Sequence, residues 1–547
     1  MSAPEGVDPV GPGPEGTGSA GVDSAGAGVA SVPAAELVAK AAGIRIAVVG
    51  GGIAGLVAAK ECAAVGMRVT VFEAEERAGG VVRRGEADGI VFDAGAESFA
   101  TRGGHVRGLV EELGIAEKVV DPAPGGAWLA GIPGAGAAPL PRGGILGIPE
   151  NPFADDVRRI IGWPGAWRAY LDRVRPPLTI GHDRSLGHLV RSRMGARVLE
   201  RLVAPVSTGV HSAHPDDIDT DVAVPGLNAA LTRAGSLSGA VAELRATTAA
   251  KAGGSALERR PGAAVQGLAG GMAALVDALL ERLALLGVEV RTGTPVTGIS
   301  REDDVWTVHA EPVAADDVAA GRPAERGALD DGGSDAAGPD EGDSGSGSFE
   351  AVILAVDEVA ARRLLSPHVP ALTAIPPGPS PQIEIVTLVL DAPELDAAPR
   401  GSGVLTVPGS HTAKALTHGT AKWPWLRAAA GGRHVVRVSF GSQGEPPATA
   451  GLDDEAAAAL ALREAAALLG VPLTATALRG SFRARFAQSQ PSASLGAAER
   501  RAAAARAVAE TPHLAATGAW LAGTGLAQVI PHARAEAERL RRALLWD

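Results

Sequence analysis

The chain holds a single cysteine, Cys62, in 547 residues. That count excludes an intrachain disulfide framework and any cysteine-based metal cluster, and it points to a reducing, cytoplasmic setting. Its twelve histidines are scattered, with no metal spacing such as His-Glu-x-x-His, so no metal is expected. Aromatic residues make up only 3%, and Tyr170 is the one tyrosine. No stretch offers the run of about eighteen apolar residues that a membrane-spanning helix needs. Residues 1–43 lack the basic and apolar parts of a secretory signal, so none is expected. A broad basic excess is missing too, which argues against a nucleic-acid partner.

What is present fits a globular enzyme, with 46% apolar and 20% charged residues. A chain this long needs two or three cores. The net charge of −12 comes from two segments: residues 1–43, with five acids and one lysine, and residues 311–348, with ten acids and two arginines. Both are rich in Gly, Ala, Ser, Asp and Pro without periodicity and cannot bury enough apolar surface to offset ordering entropy, so both read as disordered. The remaining body is charge-balanced. Within it, residues 151–210 carry ten arginines against five acids, which reads as a helical region with a solvated arginine face. The sharper readings are a dock for a multiply carboxylated ligand, a partner protein or a membrane surface.

The most informative stretch is "IRIAVVGGGIAGLVAA", residues 44–59, followed by "RVTVFE" at 68–73. A β-branched strand, a glycine turn, an apolar helix and a second strand make a βαβ unit. Gly50 permits a tight turn, Gly52 lets backbone approach a pyrophosphate, and Gly55 lets helix and strand pack closely. Ile53 and Ala54 open the helix, whose positive end faces the phosphates. Glu73 closes the second strand, where a carboxylate accepts hydrogen bonds from ribose hydroxyls and repels a 2′-phosphate. NADP is therefore disfavoured. Beyond Ala74, the "ERAGG" turn places Arg77, Gly79 and Gly80 after the ribose acid.

Further along, "VWTVHA" (305–310) and "FEAVILAV" (349–356) read as two strands of one hairpin interrupted by the acidic segment, an insertion that costs little because closure entropy grows only logarithmically. "IEIVTLVL" and "HVVRVSF" are strand-like. Near the end, "GTGLAQVI" (523–530) sets Gly523 and Gly525 in a second turn at a helix start, placed to face a cofactor.

The Arg-x-Gly-Gly turn resembles that of FAD-binding oxidases. The pieces in this order, over nearly all of residues 44–547, resemble the FAD-dependent, Gram-positive type flavin oxidases that aromatise porphyrinogens, the coproporphyrinogen III oxidase and protoporphyrinogen oxidase family. "GAESFATR" (95–102), "PVSTGVHSAHPDDI" (205–218), "GLAGGMAAL" (267–275), "GSGVLTVP" (401–408) and "TAKWPW" (420–425) carry that likeness. The pattern departs from the family near the C-terminus, where Ala527, Gln528 and Val529 stand in place of Pro, an acid and Cys. The family's Pro-Gln-Tyr segment is replaced by "FAQSQPSASLGAAERR".

The resemblance implies an α/β fold: a Rossmann-like FAD-binding domain of the amine-oxidase-like type, a mixed-sheet substrate domain and a helical subdomain. The expected plan is a tail over 1–43, FAD-binding segments over 44–99, 264–375 and 488–547, substrate segments over 100–118, 210–263 and 376–487, and helices over 119–209. The implied chemistry passes hydride from a methylene bridge to flavin N5, lets dioxygen reoxidise the flavin to give hydrogen peroxide, and repeats three times. Flavin carries that chemistry, so no catalytic side chain is expected. The implied FAD contacts are Gly50, Gly52, Ile53, Ala54, Gly55, Glu73, Ala74, Arg77, Gly79 and Gly80, with Ser98 near the isoalloxazine, the Val296 backbone at the adenine, and Gly523, Gly525 and Val529. Arg102, Lys422 and Trp423 are the substrate candidates, and the implied partners are the porphyrinogen, dioxygen and, transiently, the next haem-pathway enzyme.

Coproporphyrinogen has four propionates and protoporphyrinogen two, and the arginine excess favours the former. A flavin amine oxidase fits less well, because such enzymes use an aromatic cage and often a covalent flavin on a C-terminal cysteine. A phytoene desaturase-like enzyme would need an apolar tunnel, and a non-catalytic flavin-binding paralogue is the remaining alternative.

Overall fold

Five short strands form one parallel sheet in the computed structural model, which describes residues 34–175, 184–251, 264–311, 346–487 and 493–546. The strand order is Glu289–Arg291, Arg68–Phe72, Arg45–Val49, Ala351–Leu354, Leu514–Ala516. Arg45–Val49 and Ala351–Leu354 are buried along nearly their whole length, as a parallel sheet covered on both faces requires. The helix Ile53–Ala63 is enclosed, with ten of its eleven residues buried, among them Lys60, which pairs with Glu61 and Glu112. The helices Ala273–Leu285 and Leu526–Trp546 pack against it, and Leu56, Val57, Leu279, Ile530 and Ala537 share one core.

A seven-stranded sheet forms a second layer, in the order Leu478–Ala487, Gln382–Leu390, His434–Phe440, Ala415–His418, Gly403–Thr406, Ala127–Ile132, Gly136–Pro139. One of its faces is sealed by the helix Asp454–Leu469, which buries Val386, Leu388, Val404, Leu416, Val436 and Val438. Helices from Asp155 to Lys251 form a third region around Ile160, Val190, Leu199 and Leu227.

Several sequence expectations change in this structure. The helix Ala34–Gly43 occupies the end of the expected tail; Ala41 is buried and Lys40 Nζ donates to the Leu545 carbonyl at 2.9 Å. Residues 1–33 and 312–345, which hold the rest of the two expected disordered segments, lie outside the described residues, as do 488–492. The split hairpin forms between Val305–Ala310 and Gly347–Phe349, whereas Ala351–Leu354 leaves it for the parallel sheet. Phe349 faces Trp306 across that hairpin, so the chain crosses from one sheet to the other at Glu350.

The segment 100–118 belongs to the nucleotide-side core through Val106, Leu109 and Val110. Residues 127–139 supply two strands to the large sheet, and 210–251 extend the helical region. The arginine-rich region keeps its solvated face, with seven of the ten arginines in 151–210 exposed, and several of them also tie the helices together. Arg168 donates to the Arg193 and Ser192 carbonyls, Arg197 to Ile161, Arg201 to Ile160, and buried Arg193 pairs with buried Asp172. Helix-end carbonyls otherwise lack partners, and these guanidinium groups supply them. The same region also exposes aromatics: Trp163 and Trp167 are 57% and 56% exposed, with the Arg158 guanidinium over Trp163.

Candidate functional site

Bare backbone defines the first half of the site. Gly50 has φ of +106°, and a Cβ there would lie 2.6 Å from the Ala355 carbonyl oxygen. A Cβ on Gly55 would lie 1.9 Å from the Gly50 oxygen, so close helix–strand packing forbids a side chain. Gly52 differs: a Cβ would meet nothing within 4 Å, so bare backbone there is not needed by the protein's own packing. It opens the helix Ile53–Ala63, where Ile53 and Ala54 are buried and unpaired amides point outward.

Glu73 stands beside this turn. Its Oε2 accepts from the Gly51 amide at 2.7 Å and its Oε1 from the Glu75 amide at 2.8 Å. Burial raises its pKa, and the backbone amides of Glu75 and Gly51 work against that rise. The Gly79 amide donates to the Gly51 carbonyl at 2.8 Å, so the Arg-x-Gly-Gly turn lies against the glycine loop. Gly80 closes on Gly52, while Ala74 and Arg77 are exposed on the same turn. The segment before Val296 joins them: Thr294 N donates to the Glu73 carbonyl at 2.8 Å and Gly293 N to Glu75 at 2.9 Å. The Val296 side chain is buried, and its carbonyl accepts from Arg363 at 3.3 Å.

The C-terminal turn completes this side. Gly523 and Gly525 have φ of +96° and +98°, and Gln528 and Val529 donate back to the Gly525 carbonyl. Val529 is buried in the core with Leu56 and Val57, and Ala527 packs against that core. An apolar residue at 529 is therefore compatible with the fold, and the Val529 side chain serves the core.

The second half is the face of the large sheet opposite its sealing helix. Register aligns Ala484, Ile385, Ser439, Ala415, Leu405 and Leu129 in one row across six strands. Both ends of this row are buried, but Ile385, Ser439, Ala415 and Leu405 remain partly open. The next row contains Thr387, Arg437 and Thr417. Arg437 leaves the sheet toward the nucleotide side, donating to Glu97 at 2.8 Å and to the Ala94 carbonyl at 3.2 Å. Lys422 bonds the other Glu97 oxygen at 2.5 Å. Burial alone would raise the Glu97 pKa, but Lys422 and Arg437 outweigh it and hold the carboxyl at about 2. Nearby Asp93 accepts from the Met272 amide at 2.8 Å and is pushed up to about 7 by burial, against the opposing pull of Arg437.

The structure thus brings Ser98, beside Glu97, and Lys422 to the seam between the layers. Arg102 is exposed on the adjoining turn at 101–104. Trp423 is a correction: it is 2% exposed, packed against Gly267 and clustered with Phe92 and Val435, so it supports Lys422 from beneath instead of meeting a ligand. Glu97 and Arg437 were missed as functional candidates. Glu97 lies within "GAESFATR", but nothing local in the sequence marks Arg437.

These parts fit a flavin nucleotide: a cradle closed to side chains at Gly50 and Gly55, open at Gly52, with a carboxylate beside it. Residues 53–541 match the family of flavin containing amine oxidoreductases. The chain belongs to that family. Coproporphyrinogen III oxidase of Propionibacterium freudenreichii subsp. freudenreichii is 28% identical over 525 residues, 91% of each chain. The enzyme of that name from Mycobacterium leprae is 30% identical over 417 residues, covering 75% of this chain and 80% of its own. A solved structure from Exiguobacterium sp. 255-15, named after protoporphyrinogen oxidase, has a TM-score of 0.71 at 22% identity and covers 91% of this chain and 98% of its own. The amine-oxidase-like flavoprotein fold and a flavin-dependent oxidoreductase activity follow from family membership. No helix among the described residues is long and apolar enough to cross a membrane.

Proposed function

We propose that this protein oxidises coproporphyrinogen III to coproporphyrin III in haem biosynthesis, using non-covalent FAD, with dioxygen as acceptor and hydrogen peroxide as product. The observation that carries this reading is end-to-end likeness: the match to the Propionibacterium enzyme spans 91% of both chains, so it includes the large sheet and the helices as well as the widely shared nucleotide turn. Non-covalent binding is supported by Cys62. Its thiol is buried in the helix Ile53–Ala63 and pushed up to about 12 by burial, leaving no thiolate to form a link. That single buried cysteine also suits a cytoplasmic setting.

In this reading Gly50, Gly52 and the start of the helix at Ile53 and Ala54 hold the diphosphate, Glu73 the ribose and the Val296 backbone the adenine. Arg77, Gly79 and Gly80 line the same nucleotide, and the turn with Gly523 and Gly525 meets the flavin end. Bound flavin supplies the two-electron acceptor, and three rounds remove the six electrons that separate porphyrinogen from porphyrin. The protein contributes position. The half-open row Ile385–Ser439–Ala415–Leu405 gives a flat floor, and the Glu97–Arg437–Lys422 cluster fixes its distance from the nucleotide layer. Ser98 and Arg102 lie on the segment that crosses this seam. Lys422 shares Glu97 with Arg437, and its role in this reading is to orient a ligand carboxylate.

Of the arginines in 151–210, Arg168, Arg197 and Arg201 bond helix carbonyls and Arg158, Arg184, Arg191 and Arg193 pair with carboxylates, so the excess by itself does not decide between four carboxylates and two. Protoporphyrinogen IX is therefore the comparison substrate. Purified protein incubated aerobically with each porphyrinogen, followed by porphyrin fluorescence and peroxide release, tests the assignment. Faster turnover of the dicarboxylate would reverse the choice of substrate, and a colourless protein that FAD cannot reconstitute would end it.

A further inference from the structure

Lys414 precedes the strand Ala415–His418, one residue before the open row of the large sheet. Its Nζ donates to Ser212 Oγ at 2.6 Å, across the junction between sheet and helices. No carboxylate among the described residues pairs with it. An ammonium has three donors, and one hydroxyl leaves two unspent. A partly buried lysine without an anion is an expensive arrangement, because desolvation disfavours its charge. Burial pushes the Lys414 pKa down to about 8, and no counter-charge lifts it.

The residue before Ser212 in the chain has the same character. His211, next to Ser212, ends the helix Ala204–His211, and its Nε2 is buried without a partner. Burial lowers its pKa. The helix is fixed over the floor: a Cβ on Gly209 would lie 2.5 Å from the Leu405 side chain. Ser212 is held in the left-handed region, with φ of +52°, and its carbonyl accepts from Gln443 at 2.7 Å. The hydroxyl is thus presented by backbone that is itself anchored to the sheet.

We propose that Lys414, Ser212 and His211 form a carboxylate-binding subsite at the helical edge of the open sheet face, taking one propionate-type side chain of the substrate. This rests on the porphyrinogen reading above and adds to it the group that selects a carboxylate on the side away from Glu97. The two cations then divide the work. Lys422 already has an anion in Glu97, which it shares with Arg437, whereas Lys414 gains its anion only when substrate arrives.

The test compares wild-type holoenzyme with Lys414→Met and Lys414→Arg, using coproporphyrinogen III and its tetramethyl ester. Lys414→Met should raise KM for the free acid about tenfold or more and leave kcat within about twofold, because uniform binding is lost while the reacting centre is untouched. The ester, which has no carboxylate to lose, should show no such rise. Lys414→Arg should recover most of the affinity. If Lys414→Met does not fold with FAD bound, Ser212→Ala carries the same comparison, with a rise in KM of about threefold expected.

An unchanged KM for the free acid in flavin-replete Lys414→Met, or in Ser212→Ala where that variant stands in, overturns the subsite. An equal rise for acid and ester overturns it too, since that would mean lost packing. Wild-type enzyme that turns over no porphyrinogen would defeat the functional assignment itself and the subsite with it. That outcome is distinct from an active wild type indifferent to residue 414.

Discussion

Arg437, in the middle of the seven-stranded sheet, donates to Glu97 Oε2 at 2.8 Å, and Glu97 belongs to the segment leading away from the nucleotide-binding turn. One carboxylate thus joins the segment after the glycine turns to the seven-stranded sheet. Lys422 holds its other oxygen, and the same guanidinium reaches the Ala94 and Gly95 carbonyls. A planar fork that spans a side chain and two backbone acceptors fixes orientation better than a flexible ammonium would.

Glu97→Gln should therefore destabilise the protein by about 3 kcal/mol, because it leaves two largely buried cations without their anion. Its pH dependence has a definite sign. The folded-state pKa is depressed to about 2, so the stabilisation is present above the unfolded value, about 4.3, and lost as pH falls from there toward 2. Urea midpoints measured from pH 7 to pH 2.5 should fall for the wild type across that window and less steeply for Glu97→Gln. Parallel acid limbs would remove Glu97 from its joining role.

Two glycines separate folding from cofactor binding. Gly55→Ala places a methyl 1.9 Å from a backbone oxygen, and helix and strand must part. That variant should be recovered unfolded or aggregated. Gly52→Ala meets no atom within 4 Å and has φ of −70°, which any residue adopts. It should fold with the unfolding midpoint of flavin-free wild type and bind FAD at least about tenfold more weakly, since only the ligand comes close enough to clash. Absorbance at 450 nm against protein concentration reads both. A fully yellow Gly52→Ala would move the diphosphate away from this turn.

How much of this was legible in sequence depends on the range of the interaction. The strand–turn–helix around Gly50 and the carboxylate of Glu73 are local, and hydrophobic alternation was enough to place them. The hairpin around the acidic insertion was visible as two runs, but the exact partner was not. Phe349 and Val352 sit in one strand-like run broken only by Glu350, and the sheet each joins tells them apart. The strand Ala127–Ile132 was hidden inside an expected helical region because its parallel neighbour, Gly403–Thr406, lies far along the chain. Trp423 misled for a different reason: an aromatic beside a lysine looks the same on a ligand-binding floor and in a core. The short helix Ala34–Gly43 escaped notice in an alanine-rich segment, where only Leu37 and Ala41 pack inward.

The buried pair His418 and His434, with Nε2 and Nδ1 3.1 Å apart, makes a separate prediction about acid stability. Burial, then His434 and Arg427, push the His418 pKa down to about 3. A histidine kept neutral in the fold contributes stability above its unfolded value, about 6.5, and loses it as pH drops toward the folded value. Stability should decline by about 1.4 kcal/mol per pH unit for this one proton over that range. His418→Asn should flatten the decline between pH 6.5 and 4.5 in denaturant titrations. An unaltered slope would mean that the ring already carries its proton in the native state.

Glu73 is where cofactor binding and local structure meet, so its substitution needs the finer choice. Glu73→Ala removes the acceptor of the Gly51 and Glu75 amides as well as the group meant for ribose, and loosens the turn directly. Glu73→Gln keeps one oxygen for the Gly51 amide and sets an N–H group against the other amide, or against the ribose hydroxyl. A charge-assisted hydrogen bond is worth about 1.5–3 kcal/mol, so FAD affinity should fall about tenfold to a hundredfold in Glu73→Gln, and further in Glu73→Ala. Equilibrium dialysis of FAD against apoprotein, with circular dichroism to verify the fold, measures both. Retention of wild-type affinity in Glu73→Ala would show that the carboxylate serves only the turn, and the nucleotide's ribose would have to be sought elsewhere on the parallel sheet's rim.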